Sequence, residues 1–234
     1  MRYAIYFTPE PDDPLTMAAT SWLGRDAFTG VRSTMPAAPD ISAAEFYAIT
    51  AEPRRYGFHA TLVAPFRLRD GATADALQSA AADFAGRSMP FAIPHMAITR
   101  IGGFFALTPG KSADVSALAS VAVDHFEDWR ALLSPAEIER RRPDRLSERQ
   151  RTYLDRYGYP YVKEEFRFHM TLTGSLGCEE ATRIEPALRA HFAPLLDRPV
   201  DVASIAIFVE PAPGADFIIH SMHRFGTAEA RKSA

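Results

Sequence analysis

The sequence predicts an α+β protein with two lobes, each an antiparallel sheet with helices on its outer face, set around a central cleft. Two observations lead there. The stretch Tyr56-Gly57-Phe58-His59-Ala60-Thr61-Leu62 returns as Arg167-Phe168-His169-Met170-Thr171-Leu172, and each copy is followed by the same order of helix and hairpin. A strand, a helix and a hairpin in succession pack as an antiparallel sheet with the helix on one face.

In an extended strand successive side chains point to opposite faces. His59 and Thr61 therefore share one face of the first copy, with Phe58, Ala60 and Leu62 on the other; His169 and Thr171 separate from Phe168, Met170 and Leu172 in the same way. Random placement of the chain's seven His gives roughly 0.15 His-x-Thr-aliphatic stretches. One copy could be a half-buried strand histidine and nothing more; two copies point to two halves of one site.

The elements follow in order. Arg2 to Thr8 is a strand with Tyr3, Ile5 and Phe7 on its core face and Tyr6 turned the other way. Leu15 to Leu23 is a helix ending near Gly24; Ser42 to Ile49 is a short helix with Ser42 as cap, Glu45 completing a capping box and Pro53 stopping the run. After the first motif strand come a helix from about Thr73 to Ala85 and strands Phe91 to Arg100 and Phe104 to Thr108, joined across Gly102-Gly103. After the second, from Phe166 to Thr173, come a helix from about Glu179 to Leu195, interrupted near Pro186, and strands Val200 to Val209 and Asp216 to Ser221. The chain thus divides into a first unit at 56–110, a helical insertion at 111–164, a second unit at 166–223 and a tail at 225–234 that should fray.

The insertion holds a Ser134-Pro135 helix start and the most basic stretch of the chain, Arg140, Arg141, Arg142, Arg145, Arg149 and Arg151 against Asp144 and Glu148. That stretch reads as a solvated helix face, with a phosphate-receiving patch as the alternative.

Composition excludes several classes. With 47% hydrophobic and 24% charged residues and a net charge of −3, the chain has no global attraction for nucleic acid or membrane, so an anionic ligand must meet local cations. The one cysteine, Cys178, has no partner for a disulfide. The absence of a secretory leader and of a long apolar run suggests a cytoplasmic protein that does not enter a membrane.

The paired His-x-Thr-aliphatic motif, about 110 residues apart, resembles the two-histidine (2H) phosphoesterases, the superfamily of RNA-ligase-like cyclic phosphodiesterases. Met1 to Phe7, Arg55 to Leu62 and Arg167 to Gly174 look like its branch of bacterial proteins associated with phosphonate degradation operons. The resemblance implies two lobes related by a pseudo-two-fold axis, with His59 and His169 converging on the cleft.

Two imidazoles that titrate near neutrality can supply a base and an acid together. Opening a cyclic phosphodiester needs that pair, and the hydroxyls of Thr61 and Thr171 can donate to the phosphate oxygens. Strand parity adds Arg167, on the His169 face, and Tyr6 as further phosphate-binding candidates; Arg55 shares the His59 parity. His-x-Thr offers one metal ligand per strand, and His220 and His223 form no HExxH motif, so neither a metal nor another cofactor is expected. The expected partner is a small phosphorylated substrate, a cyclic nucleotide or sugar cyclic phosphate, with RNA kept open and the oligomeric state undetermined. The alternatives are an RNA-end or nucleotide-binding module without turnover and a 2′,5′ RNA ligase-like activity.

Overall fold

A computed structural model describes residues 1–38, 41–110 and 113–226. In chain order the elements are β1 (Arg2–Phe7), α1 (Pro14–Leu23), α2 (Ala43–Ile49), α3 (Ala51–Tyr56), β2 (Ala60–Phe66), α4 (Ala74–Arg87), β3 (Phe91–Ile93), β4 (Met96–Ile101) and β5 (Phe104–Pro109). There follow α5 (Ala113–His125), α6 (Pro135–Glu139), α7 (Glu148–Tyr157), β6 (Met170–Thr171), α8 (Cys178–Leu196), β7 (Val200–Val202), β8 (Ser204–Glu210) and β9 (Ile218–Arg224).

The mixed α+β class holds, and every strand pairing is antiparallel. The expectation of a separate sheet for each unit is corrected: seven strands join in one sheet, in the order β4-β5-β6-β2-β1-β8-β9, while β3 and β7 form a two-stranded ribbon. The two motif strands are what fuse it, because β2 and β6 pair directly at Ala60↔Met170. Pairing them removes two sheet edges that would otherwise carry unsatisfied backbone groups. The units also interleave: α4 of the first packs on β8 and β9 of the second, and α8 of the second packs on β4 of the first.

Parity on β1 sorts as its sequence suggests. Tyr3, Ile5 and Phe7 enter the main core with the apolar stripe of α4, Leu77, Ala81 and Phe84. Ala4 and Tyr6 enter a smaller cluster on the opposite face with Ala206, Phe208 and Phe217. That second face carries the motif histidines.

Several boundaries differ from expectation. The Ser42 hydroxyl accepts the Glu45 N–H, and the Glu45 carboxylate pairs with Arg183, with a smaller contribution from the Ser42 backbone N–H. Pro53 does not stop the run. It lies in the first turn of α3, where a missing N–H costs no intrahelical bond. The long helix α8 runs through Pro186 and Pro194. An interior proline costs about 3 kcal/mol, whereas Ile184, Leu188 and Phe192 are fully buried along one stripe and each contributes about 1.5–3 kcal/mol. Strand 91–100 divides at Pro94-His95, and strand 200–209 divides at Ala203.

In the insertion, Ser134 and Glu137 close a full capping box with Pro135 at the first helical position. Of the arginine-rich run, Arg140, Arg142, Arg145, Arg149 and Arg151 are exposed and Arg141 is half-buried. At the C-terminal end Phe225 is buried and its N–H bonds the Ala203 carbonyl; the rest of the expected frayed tail, 227–234, lies outside the described residues. No helix among the described residues is long and apolar enough to cross a membrane.

Candidate active site

The antiparallel register centred on Ala60↔Met170 turns those two side chains into the core, where both are fully buried. Their neighbours then face the other way, with His59 across from Thr171 and Thr61 across from His169. The two histidines become diagonal neighbours, which in such a pair lie about 7–8 Å apart. All four side chains line one pocket of about 320 Å³.

The motif strands are shorter than expected, and the histidines explain why. His59 Nδ1 lies 2.9 Å from the Gly57 carbonyl and His169 Nδ1 lies 2.8 Å from the Arg167 carbonyl. A carbonyl can only accept, so each Nδ1 carries the proton and donates it two residues back. Those carbonyls are thereby taken from the ladder, which begins at Ala60 in one copy and Met170 in the other. Each Nε2 is left with its lone pair. At His59 it accepts a long hydrogen bond, 3.3 Å, from the Thr61 hydroxyl.

Gly57 is needed for this local turn. Its φ of +79° belongs to glycine, and a Cβ there would come within 2.5 Å of the Ala27 Cβ. This also ends α3 and turns Arg55 away from the motif strand, toward Glu210.

Tyr6 is across β1–β2 from Thr61. Its ring stacks on the His59 imidazole, with centroids 3.8 Å apart and planes within 17°. Burial pushes the His59 imidazole down to about 4; the Gly57 hydrogen bond opposes this, and the nearby His169 adds to it. Burial also holds the Tyr6 phenol well above its ordinary range. His169 is walled by Phe104, with ring centroids 5.8 Å apart.

Of the six sequence candidates, the pocket brings together five: His59, Thr61, His169, Thr171 and Tyr6. The sixth, Arg167, has an exposed side chain that lines an adjoining cavity of about 530 Å³, shared with Thr61, Phe104, Tyr159 and His169. Its backbone carbonyl is what reaches the site. The pocket also contains Arg2, Tyr56, Arg141 and Tyr159, which the sequence reading did not select. Parity on β1 could have found Arg2, which shares the Tyr6 face, and the basic stretch pointed toward Arg141; nothing local in the sequence singles out Tyr159.

Arg2 is held by Glu210, whose carboxylate is buried, accepts from Arg2 Nε at 2.5 Å, and also bonds Arg55 and the Gly214 N–H. The Arg141 guanidinium lies over the Tyr159 ring, 5.1 Å from its centroid. Among the described residues no group of three or more His, Cys, Asp or Glu could hold a metal ion.

The profile of the family described as "Protein of unknown function (DUF1045)" matches residues 61–218. Two curated relatives are named "Ribose 1,5-bisphosphate phosphokinase PhnN". The one from Janthinobacterium sp. (strain Marseille) is 37% identical over 222 residues, 93% of this chain and 49% of its own length. The one from Laribacter hongkongensis is 36% identical over 221 residues, 93% of this chain and 50% of its own length. The chain spans about half the length of the curated relatives it matches. With the match covering most of its length and taking in Thr61, His169 and Thr171, this chain belongs to the DUF1045 family.

Proposed function

We propose that this protein is a metal-independent phosphoesterase of the two-histidine type that opens a cyclic phosphodiester on a ribose-type sugar or small nucleotide. The observation that carries this reading is the matched pair of Nδ1–H to carbonyl bonds, which leaves both Nε2 atoms to one pocket that also holds both threonines.

The role of His59 follows from its environment, and His169 takes the complementary one. The His59 imidazole stays neutral far below pH 7, so its Nε2 lone pair takes a proton from water as the water oxygen attacks phosphorus. The bond from phosphorus to the departing sugar oxygen breaks, and His169, as the general acid, gives that oxygen a proton. The product is a phosphomonoester and a free hydroxyl. Thr61 and Thr171 donate to the non-bridging oxygens, where donors already in position gain most from charge that develops during the reaction. Tyr6 acts here by packing the His59 ring.

The relatives' names direct the substrate toward ribose phosphates. Their phosphokinase chemistry is not assigned to this chain. The phosphate-cradling Gly-x-x-x-x-Gly-Lys-Ser/Thr loop is absent from its sequence; Gly110-Lys111-Ser112 supplies the last three positions, but the first falls on Phe105.

The test is a panel of ribose 1,2-cyclic phosphate and nucleoside 2′,3′-cyclic phosphates followed by phosphorus NMR in the presence of a chelator. Ring opening to a monoester is expected. Tight binding of a panel member without turnover would make the pocket a binding module instead.

A further inference from the structure

We propose that the same pocket contains a second anion subsite, formed by Arg2, Arg141 and the hydroxyls of Tyr6, Tyr56 and Tyr159, which takes a phosphomonoester carried elsewhere on the substrate. It rests on the phosphoesterase reading above and narrows its substrate class to sugar cyclic phosphates with an additional phosphate group.

The donors outnumber what a cyclic diester can use. Such a diester carries one charge, and the two histidines and two threonines already answer it. Beyond them the pocket is lined by two guanidiniums and three phenols. The Tyr6 ring is 1% exposed, and its hydroxyl makes no hydrogen bond among the described residues. Arg2, Tyr56 and Tyr159 line the same pocket as Tyr6. Burial keeps the proton on the Tyr6 hydroxyl, which makes it a donor toward the pocket.

The cations are placed by the fold. Buried Glu210 takes Arg2 through Nε and leaves the two terminal nitrogens to the pocket. Arg141 stacks on Tyr159 and has no carboxylate partner among the described residues, so the edges of its guanidinium remain for a ligand. Three guanidiniums, Arg2, Arg55 and Arg141, stand against two carboxylates, the buried Glu210 and the exposed Glu52 at the pocket rim. One positive charge is left over. A phosphomonoester brings close to two negative charges and three acceptor oxygens, which suits guanidinium forks and phenol donors. A cavity of about 320 Å³ is within the usual range for a small-molecule site.

The experiment compares matched pairs: adenosine 2′,3′-cyclic phosphate with and without a 5′-phosphate, and ribose 1,2-cyclic phosphate with and without a 5-phosphate. The added phosphate is expected to raise kcat/KM by about 10²-fold, the scale of hydrogen bonds to charged groups. Arg141→Gln and Arg2→Gln should reduce that ratio toward one. A parallel arm titrates ribose 5-phosphate and ribose by calorimetry into the wild type and both variants, with melting curves to show that each variant folds. Ribose 5-phosphate is expected to bind the wild type more tightly than ribose and to lose that margin in the variants. Equal kcat/KM with and without the phosphate, or a preference unchanged in both folded variants, overturns the subsite. If no cyclic phosphate is turned over at all, the hydrolase reading fails and the ribose 5-phosphate arm alone decides the subsite.

Discussion

Lowering the pH from 7 to 5 should leave the His59 arm of the reaction nearly intact. A free imidazole titrates near 6.5, but burial beneath Tyr6, with a smaller push from His169, holds His59 at about 4 against the opposing Gly57 hydrogen bond. At pH 5 an ordinary histidine would be neutral in only about 3% of molecules, a roughly 30-fold loss of base, whereas one at about 4 stays about 90% neutral. The assay is kcat/KM for a cyclic phosphate between pH 4 and 9, which reports the free enzyme. The acid limb should fall to half near pH 4. Half-loss near 6.5, with the fold intact by circular dichroism, would refute the reasoning. The same shift touches stability. Because the folded pKa is below the unfolded one, the unfolded chain binds the extra proton between about 6.5 and 4, and stability is lost as pH falls through that window. The full shift corresponds to about 3 kcal/mol, reduced to about 2 kcal/mol because the half-buried ring opens on the pocket. His59→Gln should therefore lose less melting temperature between pH 7 and 4.5 than the wild type does.

Other outcomes follow from the same geometry. His59→Ala and His169→Ala should each lower turnover by about 10²–10⁴, and the double variant should be little worse than the worse single one, because base and acid act as a unit. Thr61→Val and Thr171→Val remove one donor each and should cost about 10²–10³ in kcat with the fold unchanged, read from steady-state kinetics and melting curves. Glu210→Gln takes the charge from a buried group that holds two arginines and a backbone N–H. Breaking a fully buried pair costs about 3–5 kcal/mol; since Arg2 and Arg55 are part-exposed, about 2 kcal/mol is expected, or a melting point lower by about 4–8 °C. Breaking the exposed Glu185–Arg189 pair should move it by under about 2 °C.

Much of this was legible in the sequence because it depends on strand parity. Alternation alone placed His59, Thr61, His169 and Thr171 on one face and put Tyr6 with them. The Gly102-Gly103 turn and the Ser134-Pro135 helix start are local chemistry, and both formed where expected. What could not be read was set by contacts distant along the chain. The single sheet depends on Ala60 meeting Met170, and that pairing is invisible to local pattern. Arg167 misled because parity assumes an extended strand, while the His169 Nδ1–H draws on its carbonyl and the regular ladder begins only at Met170. Pro186 misled because its local cost is outweighed by burial that only the tertiary fold supplies. Tyr159 and Arg141 reach the pocket from the insertion, and their pairing exists only once α7 is packed.

The most direct measurement of the central claim is a crystal structure of the protein soaked with a non-hydrolysable cyclic phosphonate analogue of the ribose cyclic phosphate. Both Nε2 atoms should lie within about 3 Å of oxygens on the one phosphorus, His59 on the side of the incoming water and His169 on the side of the departing sugar oxygen, with both threonine hydroxyls on the remaining oxygens. A phosphonate held by only one histidine, or bound outside the pocket, would contradict it.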